Sequence, residues 1–268
     1  MKVIKFDANR CNGCYNCQIA CKDEHCGNDW MPYAKAQPDT GSFWCRVEER
    51  ERGSVPKVRV SYIVHMCQHC EDCVLMAKAP EAVYRREDGL VIIDPAKAEG
   101  MKDLVDACPY GAVYWNAELN LPQKCTGCAH LLDEGWEAPR CVEVCGPGAL
   151  TYVDQEELAS EGCEQILPDA DTKPRMVYAN LPKRFVGGIA VDLQADEVVI
   201  GAKVQLQNKK TGELLETETD EFGGFWFHQI EPNEYSVFVS KEGYTTRVIE
   251  TSTVDKDQNV GVIEMFAV

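Results

Sequence analysis

The sequence is poor in positive charge. Its 268 residues include 27 Lys or Arg against 44 Asp or Glu, which gives a formal net charge of −17. Phosphate groups of nucleic acids and anionic lipids are bound by clustered Lys and Arg, so the composition argues against both partners. No apolar run approaches the ~20 residues that a membrane-spanning helix requires. We therefore expect no nucleic-acid binding and no direct membrane insertion.

The sequence also lacks the usual motifs of nucleotide sites and of hydrolases. No G-x-G-x-x-G follows a predicted strand, no G-x-x-x-x-G-K-[ST] is present, and no Ser/His/Asp or Cys/His nucleophile arrangement is recognisable. NAD(P), flavin and ATP are thus not indicated, and we expect no catalytic site in this chain.

The N-terminal segment has little room for a targeting signal. MKVIKFDANRC reaches a cysteine motif at once, so we expect no signal peptide. The corresponding prediction is a cytoplasmic protein. Its alternative is export of the folded chain together with a partner that carries a twin-arginine signal.

Cysteine, in contrast, is abundant. The odd total of 15, with no export signal, argues against a full disulfide framework. Twelve cysteines have recognisable settings: CNGCYNCQIAC (Cys11, Cys14, Cys17, Cys21), CQHCEDC (Cys67, Cys70, Cys73), ACPYGAV (Cys108), CTGC (Cys125, Cys128) and CVEVC (Cys141, Cys145). The remaining three, Cys26, Cys45 and Cys163, are expected to be small buried side chains rather than ligands.

The spacing of these cysteines favours iron–sulfur clusters over zinc. A four-thiolate zinc site typically takes two cysteines from each of two short segments, and CTGC with CVEVC alone would satisfy that pattern. Three cysteines within seven residues, occurring twice, match instead the bacterial ferredoxin run C-x2-C-x2-C-x3-C-P, whose fourth cysteine binds the other cluster. We predict 4Fe–4S clusters, with a structural zinc scaffold as the alternative.

The exchange of the last cysteine between motifs predicts three sets of ligands. They are Cys11, Cys14, Cys17 and Cys145 (set 1), Cys21, Cys125, Cys128 and Cys141 (set 2), and Cys67, Cys70, Cys73 and Cys108 (set 3). Pro109 follows Cys108 as the pattern expects, whereas Lys22 follows Cys21 and Pro147 comes one residue late. Three histidines, His65, His69 and His130, flank ligand positions. Both a tuning role and ordinary hydrogen bonding stay open for them.

With these motifs, roughly residues 1–180 resemble the four-cluster iron–sulfur subunits of the dimethyl-sulfoxide-reductase family of molybdenum and tungsten enzymes. In that pattern, the ligands of one further cluster would fall on Ala77, Ala98, Met101 and Leu104. The resemblance implies that this cluster, the one farthest from the catalytic subunit, has been lost. Its site would then be filled by apolar side chains.

Several stretches resemble more specifically the small subunits of family members that act on polyphenols, the pyrogallol–phloroglucinol transhydroxylases and the catechol dehydroxylases. They are VEERERG, YRREDGLVIIDPAKA, CPYGAVYWN, QKCTGCAHLLDEGWEAPRC and TKPRMVYANL. The resemblance implies an electron-transfer subunit beside a large catalytic chain that binds molybdopterin with Mo or W. It also implies that set 1 lies nearest that chain, in a heterodimer that can pair again. The alternatives are the same role for another enzyme of the family and a free-standing polyferredoxin.

The composition changes near residue 180, and beyond it only β-strand patterns follow. Alternation predicts that Val204 and Leu206 share a buried face, as do Phe225 and Phe227, and that Tyr235, Val237 and Val239 continue it. With the turns NKKTG, DEFGG and EPNEY, the segment resembles a carboxypeptidase-regulatory-like or Cna B-type β-sandwich. The predicted fold is α+β: a ferredoxin-like multi-cluster domain at residues 1–183 and an all-β sandwich at residues 184–268.

Within the first domain, local patterns predict five elements. They are strands at 3–7, 90–94 and 112–115, a helix at 16–25 and a helix at 95–108. Residues 22–66 are predicted as a long insertion, a loop that contacts the large subunit or packs on its own domain.

Overall fold

A computed structural model describes residues 1–160 and 162–268, except for the side chains at 157, 159 and 160. The chain forms two compact units. The first comprises Met1–Arg50 and Ser61–Leu181, and the second comprises Glu51–Val60 and Pro182–Val268.

The first unit is built from short elements. Its strands are β1 (Lys2–Asp7), β2 (Cys45–Ser54), β3 (Lys57–Met66), β4 (Val83–Arg85), β5 (Val91–Ile93), β6 (Tyr114–Asn116), β7 (Leu121–Gln123), β8 (Leu150–Asp154) and β9 (Val177–Ala179). Its helices are α1 (Asn16–His25), α2 (Val74–Lys78), α3 (Leu104–Ala107), α4 (Ala129–Asp133) and α5 (Arg140–Glu143), with 3-10 turns at Gln155–Ser160 and Pro168–Ala170. Strand β1 is central in a three-stranded sheet, antiparallel to β8 and parallel to β9. Three separate two-stranded sheets pair β2 with β3, β4 with β5 and β6 with β7.

Most of the predicted elements of this unit are confirmed. Helix α1 covers the predicted residues 16–25, and β1 and β5 occupy the predicted strands. The return strand begins two residues later than expected, as β6. The helix predicted at 95–108 is wrong except for α3. Its first part is a turn in which Asp94 Oδ1 accepts a hydrogen bond from the Ala96 amide at 2.9 Å, and Gly100 has a φ of +76°, which a continuing α-helix cannot accommodate.

The insertion at residues 22–66 was predicted as a long loop, and that part of the prediction is wrong. Its second half is the β2–β3 hairpin, whose tip belongs to the second unit. At the base of the hairpin, Cys45, Val47, Ile63 and Met66 are buried. The charged run EERER in β2 conceals the strand pattern, because buried side chains are confined to the start of this strand.

Cysteines form much of the interior of the first unit. Phe6 and Tyr178 are fully buried beside Trp44 in the main core. The same core contains five of the predicted ligands: Cys17, Cys21, Cys67, Cys125 and Cys141. This part of the chain is thus organised around thiols as well as apolar side chains.

The second unit consists of two four-stranded sheets. Its strands are β10 (Arg184–Asp192), β11 (Glu197–Val198), β12 (Lys203–Asn208), β13 (Leu214–Glu218), β14 (Gly224–Ile230), β15 (Glu234–Ser240), β16 (Arg247–Ser252) and β17 (Gln258–Glu264). One sheet has the order β11-β10-β14 with β17 parallel to β10, and the other has the order β13-β12-β15-β16. One core joins side chains of both sheets, as in a β-sandwich. It contains all seven residues predicted to face inward: Val204, Leu206, Phe225, Phe227, Tyr235, Val237 and Val239.

Candidate metal centre

Three cysteine loops share one backbone conformation. In the first C-x2-C step of each loop, the residue before the second cysteine has a positive φ: +70° at Gly13, +46° at His69 and +66° at Gly127. This conformation directs the amide of the same residue to the sulfur of the first cysteine, at 3.4 Å from His69 N to Cys67 Sγ and 3.3 Å from Gly127 N to Cys125 Sγ. Amide donors of this kind stabilise thiolates and sulfur-ligated clusters.

Glycine is required in two of these loops for a second reason. A Cβ added to Gly127 would lie 2.5 Å from Leu90 Cδ2, and one added to Gly13 would lie 2.4 Å from the ring of Tyr62. Any side chain would therefore clash in addition to adopting a left-handed backbone. His69 occupies the third equivalent position without glycine.

The thiols of set 1 surround one cavity. Burial raises the pKa of Cys11, the Gly13 amide lowers it, and three neighbouring thiols raise it further. Those thiols belong to Cys17, Cys145 and Cys14. All four cysteines line a space of about 320 Å³, counting the part open to solvent. The Leu150 amide donates to Cys145 Sγ at 3.2 Å.

The thiols of set 2 are the most deeply enclosed. Cys21 lies on α1 and Cys141 on α5, and both are buried. Burial raises the pKa of Cys21 well above its ordinary value, and the neighbouring thiols of Cys125, Cys128 and Cys141 raise it further. Burial also raises the pKa of Cys125 to about 12.

The thiols of set 3 likewise interact with one another. Burial raises the pKa of Cys70 to about 11, a hydrogen bond with Thr172 opposes the rise, and the other three thiols of the set add to it. These are Cys67, Cys73 and Cys108. Each predicted set is therefore brought together by the fold, although its members come from distant segments.

Thiols of adjacent sets also affect one another. The thiol of Cys45 is buried, and its interactions with Cys141 of set 2 and Cys17 of set 1 raise its pKa. Burial raises the pKa of Cys125 in set 2, and the Cys67 thiol of set 3 raises it further. Set 2 therefore neighbours both of the other sets.

Three of the four apolar residues predicted at the site of a lost cluster do pack together. Ala98 and Leu104 are buried in one apolar core, and Met101 packs against it. The prediction is wrong for Ala77, which is exposed on α2. Leu75 on the same short helix faces this core instead.

Sequence reasoning missed the basic residues around sets 2 and 3. Lys124 and Arg175 are 3 % and 6 % exposed, and Arg85 donates to the Cys70 carbonyl oxygen at 2.7 Å. The position of Lys124 directly before Cys125 was the only available signal. The burial of Arg175 depends on tertiary packing.

The four-thiol sets suit a cofactor with several metal atoms. Within residues 1–160 and 162–268, no three Cys, His, Asp or Glu side chains are arranged to hold one metal ion. A 4Fe–4S cluster distributes its four cysteine ligands over four irons, so its thiolates need not converge on one metal ion. The amide donors and the close glycine backbones fit the same cofactor. Separately, none of the described helices is long and apolar enough to cross a membrane.

Comparison with known families identifies both parts of the chain. Residues 58–155 match the 4Fe-4S dicluster domain, and residues 186–265 match the carboxypeptidase regulatory-like domain. The chain therefore combines an iron–sulfur domain with a carboxypeptidase-regulatory-like domain.

Known proteins extend the match over nearly the whole chain. The pyrogallol hydroxytransferase small subunit of Pelobacter acidigallici is 42% identical over 266 residues, which cover 93% of this chain and 95% of that protein. One chain of the anaerobic dimethyl sulfoxide reductase of Escherichia coli is 33% identical, covering 64% of this chain and 85% of its own length. One subunit of the tetrathionate reductase of Salmonella typhimurium is 30% identical, covering 69% and 74%. This chain therefore belongs to the iron–sulfur electron-transfer subunits of the dimethyl-sulfoxide-reductase family of molybdopterin enzymes.

Proposed function

We propose that the chain holds three 4Fe–4S clusters, each bound by four thiolates of one set. The ligands are Cys11, Cys14, Cys17 and Cys145, then Cys21, Cys125, Cys128 and Cys141, then Cys67, Cys70, Cys73 and Cys108. The observation that carries this proposal is the arrangement of all four set 1 cysteines around one cavity. The effects of neighbouring thiols on the pKa values of Cys21 and Cys70 support the other two sets. A bound 4Fe–4S cluster takes up and releases a single electron with little rearrangement.

The protein's own contribution is to hold these thiols and to donate hydrogen bonds to their sulfurs. The effects of Cys17 and Cys141 on the pKa of Cys45, and of Cys67 on the pKa of Cys125, support an electron path from set 1 through set 2 to set 3. By analogy with the family, set 1 lies nearest the catalytic partner. The packing of Ala98, Met101 and Leu104 supports the loss of a fourth cluster.

Iron analysis tests the number of clusters. Protein purified without oxygen should contain about twelve irons per chain, because each of the three clusters holds four. A value near sixteen would mean that a fourth cluster is present. A value near eight would mean that only two of the three cysteine sets bind a cluster.

We further propose that the partner is a large molybdopterin subunit, with Mo or W, that acts on polyphenols. The full-length similarity to the pyrogallol hydroxytransferase small subunit supports this substrate class. In this arrangement the two chains form a heterodimer that can pair again. The three cysteine sets would hold clusters that could supply electrons to the molybdopterin in a reductive dehydroxylation. A transhydroxylation is redox-neutral overall and would need no net supply of electrons.

Purification of the native complex tests this assignment. We expect a large chain containing Mo or W to co-purify, and the complex to convert pyrogallols or catechols. Turnover of tetrathionate or dimethyl sulfoxide in place of polyphenols would favour the second candidate, the same electron-transfer role in another enzyme of the family. The shorter matches to subunits of those two reductases support that candidate.

The finer structural assignments are part of the same proposal. Residues 1–183 form a ferredoxin-like domain, and residues 184–268 form a β-sandwich that serves support or docking. The complex is cytoplasmic, or exported as a folded pair by a twin-arginine signal on the partner. Cell fractionation followed by detection of both chains distinguishes these locations.

A further inference from the structure

Lys124 is a buried cation without a carboxylate partner among the described residues. It is 3 % exposed and lies directly before Cys125 of set 2. Its Nζ donates to the carbonyl oxygens of Val91 and of Cys125, the latter at 3.0 Å. Neither acceptor carries a full negative charge.

The peptide at Val91 connects Lys124 to His69 in the loop of set 3. Its carbonyl accepts from Lys124, and its amide donates to His69 Nδ1 at 3.0 Å. Because Nδ1 accepts this bond, the proton of the neutral ring must be on Nε2. Nε2 is buried and has no acceptor among the described residues. His69, which lies between Cys67 and Cys70 in the chain, therefore has a buried Nε2–H donor without an acceptor among the described residues.

A second buried cation lies close to the same histidine. Arg175 is 6 % exposed and donates to the carbonyl oxygens of Asp88 at 3.0 Å and Lys2 at 3.3 Å. Arg175, His69 and Cys67 line one cavity.

Buried charges of one sign require compensation. Removing an ammonium or guanidinium group from water is costly unless an opposite charge lies nearby. A 4Fe–4S cluster with four thiolates carries net negative charge, and its potential responds to nearby charge, hydrogen bonds and burial. The cysteines of sets 2 and 3 would supply that negative charge, because Lys124 adjoins Cys125 and is linked through Val91 to His69.

We propose that three residues together raise the midpoint reduction potentials of the clusters at sets 2 and 3. They are Lys124, His69 and Arg175. Lys124 and Arg175 contribute permanent positive charge, and His69 Nε2 donates a hydrogen bond to a cluster or ligand sulfur. None of the three binds iron. The inference rests on the proposed clusters and adds the residues that set their potentials.

The test is a redox titration of the native complex, followed by electron paramagnetic resonance, with Lys124→Gln. Glutamine removes the charge and retains a donor for the carbonyl oxygens. We expect the cluster at set 2 to shift most strongly to lower midpoint potential, while the cluster at set 1 changes least. Lys124→Arg should restore the potential. Lys97→Gln is the matched control, because its Nζ is exposed and pairs with Asp94, and solvent screens such charges.

Iron content separates the outcomes. About twelve irons in the unsubstituted complex, with equal shifts in Lys124→Gln and Lys97→Gln, would overturn the inference and leave the proposed clusters intact. Absence of iron from the unsubstituted complex would instead overturn the proposed function. Should Lys124→Gln fail to retain iron, Arg175→Gln decides: a lower potential at set 3 supports the inference, and an unchanged one contradicts it.

Discussion

At the scale of single residues, three ligand loops share a left-handed residue directly before their second cysteine. Gly13, His69 and Gly127 occupy it, and their positive φ angles direct amides toward sulfur. Non-glycine residues adopt this conformation at a cost of roughly 1–2 kcal/mol. His69 adopts this conformation despite its side chain, and in this position its ring accepts a hydrogen bond from the Val91 amide.

Substitution of Gly127 tests the importance of this geometry. Gly127→Ala should destabilise the folded first unit by at least about 1–2 kcal/mol from the φ alone, and the clash with Leu90 should add to this. We expect iron content and thermal stability to fall. Gly135→Ala is the matched control: its φ is +91°, but a Cβ there meets nothing within 4 Å. Equal iron loss in both variants would contradict a role for the close approach to Leu90.

A buried thiol outside the three sets offers a second test. Cys17 and Cys141 raise the pKa of Cys45, but both proposed ligand sets are complete without it. Cys45→Ala should therefore retain about twelve irons, whereas Cys17→Ala and Cys141→Ala should each lose iron. Iron loss from Cys45→Ala equal to that of the ligand variants would mean that Cys45 is itself a ligand.

At the scale of elements, the cysteine spacing and the strand alternation were the informative patterns. Helix α1 and the inward faces of β12, β14 and β15 follow directly from period and residue type. The helix predicted at 95–108 failed because local hydrogen bonding to Asp94 and the turn at Gly100 outweigh the apolar spacing. The β2–β3 hairpin was missed because its charged central residues do not alternate with buried ones.

The hairpin tip gives the second unit a pH dependence that can be measured. Arg59 Nη1 lies 3.1 Å from His228 Nδ1. Burial, followed by the charges of Arg59 and Arg52, lowers the pKa of His228 below its ordinary value of 6.5. The unfolded chain then binds this proton at higher pH than the folded chain, so the second unit should lose stability as the pH falls below about 6.5. The loss is complete below the pKa of the folded state.

Nuclear magnetic resonance titration of His228 checks this expectation. Its pKa should lie below 6.5 and rise in Arg59→Gln, and His228→Gln should weaken the dependence of the melting temperature on pH between about 7 and 5. A His228 pKa at or above its ordinary value in the unsubstituted protein would contradict this account.

At the scale of the whole molecule, the two units should respond differently to iron removal. Five predicted ligands lie in the main core of the first unit, whereas the core of the second contains no cysteine. Because cofactor binding free energy contributes to folding, a chelator at neutral pH should unfold the first unit and leave the second folded. Circular dichroism with limited proteolysis should show protection of residues 182–268 and of the hairpin tip at 51–60, while the first unit is cleaved. Simultaneous loss of both units would contradict this independence.

The sequence by itself determined the chemistry of the protein. Cysteine spacing is a local property of the chain, so twelve candidate ligands and their three predicted sets could be identified from it. The apolar residues at 98, 101 and 104 followed instead from the family resemblance. The alternation of the last strands also specified which side chains form the second core, because a strand's two faces follow from its period of two.

Tertiary structure decided what depends on contacts between distant segments. The position of Cys45 between two sets, the burial of Arg175 and the link from Lys124 through Val91 to His69 involve segments far apart in the chain. Neither propensity nor spacing encodes these contacts, since burial and charge compensation arise only when the segments pack together.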